Sequence, residues 1–196
     1  MIAKLAKSTA HFFVEREIVN SKDEEVYAYG MELLFSTLLN MFIAVIIGII
    51  TSSLFEMTIF LTVFILARQC IGGYHAETHL GCMSIFIVVL LTFVTIVKQL
   101  SEAFIIPVSI ISAVLSFILI LLFAPVEHPN KPLNSSEKNV LRRKAIILFG
   151  VFLLIILVIL IFFVFRRYAI CISLGGFTSA VAMVCQKIKN CHNSSH

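Results

Sequence analysis

Two histidines, a glutamate, an arginine, three glycines and two cysteines crowd fifteen positions, RQCIGGYHAETHLGC at residues 68–82. His75 and Cys82 are the pair with the most direct chemistry. A thiol attacks a carbonyl carbon once a base within about 2.6–3.2 Å has taken its proton. The two residues are seven apart. On a straight helix that separation is a rise of about 10.5 Å, too far for contact. On a strand an odd separation sends the side chains to opposite faces. A working pair therefore requires a bend between residues 76 and 81, and Gly72, Gly73 and Gly81 supply the freedom for bends on both sides. Arg68 nearby would favour the thiolate. Backbone amides around Gly72 and Gly73 are candidate donors to an oxyanion.

Other chemistries compete for the same residues. His75 and His79 stand at i and i+4 with Cys82 three further on, a spacing that could hold zinc with Glu77 as a base. The order HAETH places the glutamate one position later than the H-E-x-x-H of zinc proteases, and no second acidic cluster offers a further ligand, so we expect no metal and no other cofactor. The plainest alternative is a polar, glycine-rich loop that only joins two helices.

The elements that must position this loop are apolar. The 196-residue chain is 60% hydrophobic and 13% charged, against about 25% charged residues in an ordinary soluble domain. Its apolar residues form six long runs, at residues 33–50, 54–67, 83–97, 103–124, 145–165 and 168–185. These predict an all-α, polytopic bundle of about six transmembrane helices. The two shortest runs flank the motif. Gly175, Gly176, Ser179 and Ala180 give the last run a face suited to close helix packing. Such a chain has no feature that calls for nucleic acid as a partner.

Basic residues choose the orientation. With the N-terminus in the cytoplasm, twelve of the fifteen Lys and Arg residues fall inside, and only Lys98, Arg166 and Arg167 fall outside, as the positive-inside rule requires. Both termini and the 68–82 loop then face the cytoplasm. So does the longest polar stretch, residues 125–144, whose Arg142, Arg143 and Lys144 would lie against anionic headgroups. Residues 1–25 form an amphipathic segment in which Ile2, Leu5, Ala6, Thr9, Phe12 and Phe13 recur at helical spacing, opposite Lys4, Lys7, His11 and Glu15. It reads equally as a helix in the membrane interface or one packed on the bundle. The five cysteines are odd in number and lack a framework spacing, so we expect no disulfides. Cys171 and Cys185 read as small apolar residues within a helix.

The run Arg68-x3-Gly72-Gly73-x-His75-x6-Cys82 between two short spans resembles the accessory gene regulator B (AgrB) family of quorum-sensing membrane endopeptidases. An amphipathic N-terminus, six spans and a proline-containing loop after the fourth span, at Pro125 and Pro132, match as well. The resemblance covers the whole chain and implies one integral-membrane endopeptidase domain over 1–196 in a bacterial cell membrane. It implies further that His75 and Cys82 are a catalytic dyad, and that the substrate is an AgrD-like propeptide. That propeptide would be cut through an acyl-thioester on Cys82, and a thiolactone or lactone ring would then close on it. It also implies a homodimer. The rival from another class is a small transporter, with Glu56 inside a span lining a pathway.

Overall fold

The computed structural model describes residues 2–16, 18–72, 79–127 and 134–193. Among them every regular element is helical: α1 (Ile2–Glu15), α2 (Glu24–Ile50), α3 (Leu54–Ile71), α4 (His79–Gln99), α5 (Glu102–Phe123), α6 (Ser135–Ile161) and α7 (Arg166–Asn193), with single 3-10 turns at Ser21–Asp23 and Phe163–Phe165. Six of the helices, α2 to α7, are long and apolar enough to cross a membrane. Helices are the form such runs take, because no water in the hydrocarbon can satisfy an open backbone. The all-α bundle expected from the apolar runs is what the chain forms.

The spans pack around α3 and α7, the two most buried of the six. Near one end Met57, Phe60 and Leu61 of α3 join Leu90, Phe93 and Val94 of α4 and Ile170, Cys171 and Leu174 of α7. Near the other, Val63, Ala67 and Ile71 of α3 meet Ile120 of α5, Ala145, Phe149 and Phe152 of α6, and Ala180 and Met183 of α7. The crossing between these layers depends on small residues. A Cβ on Gly175 would stand 2.8 Å from the carbonyl oxygen of Phe60. One turn on, the Ser179 hydroxyl donates to the Phe64 carbonyl at 3.2 Å. The small face foreseen on the last run is thus the seam between α3 and α7, where lipid offers no hydrophobic drive and close contact must hold the helices together.

Helix α1 lies against α2. Ala6 and Ala10 are fully buried, while Leu5 and Phe12 stay exposed. The His11 ring contacts Glu24 at 3.2 Å at the start of α2. The helix is therefore packed on the bundle through its alanines and leaves larger apolar side chains outward, combining the two readings of the sequence.

Several boundaries differ from those read off the apolar runs. α2 begins nine residues before residue 33, and α7 continues eight residues past 185. α3 runs through Arg68 and Cys70 to Ile71, and α4 begins at His79. The stretch 68–82, read as a loop, therefore keeps helix at both ends. Likewise 135–144, assigned to the basic loop, is the start of α6. Its N-cap backbone amide, on Asn134, donates to the Glu137 carboxylate at 3.0 Å, a helix start that local polar residues encode and hydropathy misses. Cys171 is buried and Cys185 is exposed, so only the first behaves as a core residue.

Candidate active site at the ends of α3 and α4

The last turn of α3 carries Arg68, and Gly72 ends the helix. The Gly72 amide donates to the Arg68 carbonyl at 3.1 Å, and its φ of 76° lies in the left-handed region that favours glycine. A second constraint comes from the segment after α5. The Val126 amide donates to the Ile71 carbonyl at 3.1 Å, and the Val126 carbonyl oxygen lies only 2.6 Å from where a Cβ on Gly72 would sit. Conformation and space together demand glycine here. Because the Gly72 amide already serves the helix end, its part in the site is to turn the chain.

The Arg68 guanidinium lies over the Phe64 ring, 5.5 Å from its centroid. Cys82 is the fourth residue of α4 and is half-buried. It therefore stands near the start of the described part of α4. Gly73 and His75 lie outside the described residues, as does the side chain of His79, whose backbone starts α4. Of the residues singled out from the sequence, the fold brings Arg68, Gly72 and Cys82 to one end of the bundle. Glu56 lies in the first turn of α3, at the opposite end. Among the described residues no three His, Cys, Asp or Glu side chains converge as a metal site would require; the His75–His79 pair falls outside that set.

A group of residues that the sequence reading passed over surrounds the segment 124–127. The Asn190 side chain of α7 donates to the Glu127 carbonyl at 2.8 Å. Gln186, one turn earlier and almost fully buried, donates to Asn190 Oδ1 at 2.8 Å. Lys138 of α6 pairs with the Glu127 carboxylate at 2.9 Å. The signal for this cluster was present: two amides four residues apart in the tail of an apolar helix fall on one face and need a polar partner.

Nearby, cations close the C-terminal end of α5. Arg142 donates to the Leu121 carbonyl at 3.2 Å, and the Lys187 ammonium lies 4.4 Å from the Phe123 ring centroid. Both positions suit the negative end of a helix. On α6, Ser136, Asn139, Val140, Arg142, Arg143 and Ile146 line an open hollow of about 490 Å³.

Six helices long and apolar enough to cross a membrane define a class: a multi-pass membrane protein. Comparison with known proteins narrows it. The family model described as Accessory gene regulator B matches residues 6–185, and the chain belongs to that family. An AgrB-like protein of Clostridium perfringens is 26% identical over 149 residues, covering 74% of this chain and 70% of the relative. An AgrB-like protein of Clostridium beijerinckii is 27% identical over 142 residues, covering 69% of this chain and 68% of the relative. Protein FsrB of Enterococcus faecalis is 31% identical over 121 residues, which span 61% of this chain and 49% of FsrB. No solved structure matches the chain.

Proposed function

We propose that the protein is a cysteine endopeptidase of the cell membrane that processes an AgrD-like quorum-sensing propeptide on the cytoplasmic side. The observation that supports this reading is that α3 ends and α4 begins at one end of the bundle, which brings Arg68 and Cys82 to that end, with His75 between them in sequence. In the proposed cycle His75 takes the Cys82 proton, and the sulfur attacks the scissile carbonyl. The C–N bond breaks as the imidazolium returns its proton to the leaving amine, and the peptide's signal-bearing part remains as a thioester on Cys82. A thiol or hydroxyl within the bound peptide then displaces Cys82 and closes the ring. A thioester keeps the acyl group activated, and a site at the membrane surface limits competing hydrolysis. His75 enters this scheme from its spacing and from the family resemblance.

The hollow on α6 gives the substrate a docking place. Arg142 and Arg143 beside Val140 and Ile146 offer charge and apolar surface together, suited to an acidic peptide segment that also touches the membrane. We propose this face as the substrate's second contact, cytoplasmic ends for both termini, and a homodimer as the working form.

Cleavage by purified protein in lipid nanodiscs tests the chemistry. Cys82→Ala and His75→Ala should each abolish it in protein that remains inserted, because residues acting as one unit fail together. Cys70→Ser and His79→Gln should retain substantial activity. Iodoacetamide should inactivate the enzyme, and replacing the capturing Cys or Ser of the peptide should trap the thioester. Cleavage that resists iodoacetamide but stops with a chelator would instead establish the zinc mechanism on His75 and His79.

A further inference from the structure

Starting from the reading of Cys82 as nucleophile, we infer that Asn190, braced by Gln186, is a positioning residue for the thiol site, acting through the segment 124–127. The contacts form a continuous chain. Gln186 holds the Asn190 side chain at 2.8 Å, and Asn190 donates to the Glu127 carbonyl at 2.8 Å. The preceding residue, Val126, donates its amide to the Ile71 carbonyl and sets its own carbonyl against Gly72. Gly72 in turn donates to the Arg68 carbonyl, and Arg68, in the last turn of α3, stands at the bundle end where α4 carries Cys82.

The physical logic lies in what a helix end lacks. The last carbonyls of α3 have no amide within their own helix. In this chain the Ile71 carbonyl is satisfied by a segment more than fifty residues away in sequence, and that segment has no regular structure of its own to hold it in place. Its anchors are the packing of Ala124 and Val126 on the core and the side chains that reach it from α6 and α7. The Lys138–Glu127 ion pair is largely exposed and contributes little. The Asn190 bond is backed by a nearly fully buried amide, where an unmade hydrogen bond is costly. The end of α7 thus fixes where the last turn of α3 points its arginine.

The experiment measures alkylation of Cys82 by iodoacetamide at fixed pH in nanodiscs, resolved by mass spectrometry so that the other thiols do not interfere. Asn190→Asp keeps the side chain's shape and its acceptor for Gln186 but removes the donor to Glu127. It should slow alkylation about three- to tenfold, as should Arg68→Gln, and the double variant should be no slower than Arg68→Gln alone. Propeptide cleavage should lose kcat with KM nearly unchanged. Lys138→Met, which breaks only the exposed ion pair, should alkylate at the parental rate. Gln186→Met carries the same forecast as Asn190→Asp without adding charge, should the aspartate variant fail to accumulate.

Parental alkylation rates in Asn190→Asp or Gln186→Met would overturn the inference, as would full additivity with Arg68→Gln. Failure of the nucleophile reading shows separately, as cleavage that survives Cys82→Ala.

Discussion

The two ends of the bundle solve one problem in different ways. At the end away from the thiol, each pair of helices is joined by a few residues: 51–53, 100–101 and 162–165. These turns close on themselves. Ser53 donates its amide to the Gly48 carbonyl at 2.8 Å, and Thr51, Leu100 and Phe162 each bond back to the helix just ended. At the thiol end the connections are longer, and 124–127 is held by α3, α6 and α7 through bonds between residues far apart in sequence. Short turns are held by bonds to residues close in sequence, such as Arg166 donating to the Leu160 carbonyl at 3.1 Å. An end that must present reactive groups needs non-helical chain, and such chain keeps its shape only through contacts made by the rest of the fold.

The sharpest way to break this comparison is to show that the ends are not on the expected sides of the membrane. Single cysteines at Glu77 and Ser135 should escape an impermeant thiol reagent added to sealed cells, whereas one at Ser101 should react. Labelling at either of the first two would overturn the topology and the proposed site together. Next in size is the contrast between a polar residue at each end. Cys82→Ala should reduce cleavage at least about 10³-fold, while Glu56→Gln, in the first turn of α3 at the other end, should leave it within about twofold. A transporter with Glu56 on its pathway would show the reverse dependence in a flux assay.

Glycines sharpen the comparison further. Gly72→Ala must strain a positive φ and displace the Val126 carbonyl, so we expect about a tenfold or greater loss of cleavage. Gly150→Ala in α6 meets nothing within 4 Å and should be neutral, or stabilising by up to about 1 kcal/mol through helix propensity; thermal denaturation in detergent distinguishes the two. A smaller effect than that of Gly72→Ala is expected at the α6 hollow. Replacing Arg142, Arg143 and Lys144 with alanine should raise KM about three- to tenfold with kcat nearly unchanged. An unaltered KM in correctly inserted protein would remove this face from the substrate path.

The number of spans, the helical class and the small-residue seam were legible because hydropathy and residue size act locally. Helix ends were less legible, for a physical reason. Arg68 looks like the edge of a span, yet an arginine can remain helical while its charge reaches out of the apolar layer, and the true stop is Gly72. Glu24 to Glu32 are too polar to register as a span, although the same helix simply emerges from the membrane there. The pairing of Asn190 with Glu127 across 63 positions is tertiary information that no local window contains. Within the proposed site, Arg68, Gly72 and Cys82 stand out by residue type and spacing, while the contact of Val126 with Gly72 required the fold.

The short length of α3 has a further consequence. Its 18 residues span about 27 Å, somewhat less than the roughly 30 Å of a typical hydrocarbon core, whereas α2 and α7, with 27 and 28 residues, are far longer than that core. Hydrophobic mismatch of this kind is relieved by local thinning of the bilayer around the short helix. Such thinning would set the Cys82 end of α3 and α4 in a dimple of the headgroup layer, overlooked by the ends of the longer helices. Membrane thickness becomes a variable of the reaction: thicker lipids would draw the end of α3 toward the hydrocarbon and hinder access to Cys82, and thinner lipids would lift it toward water.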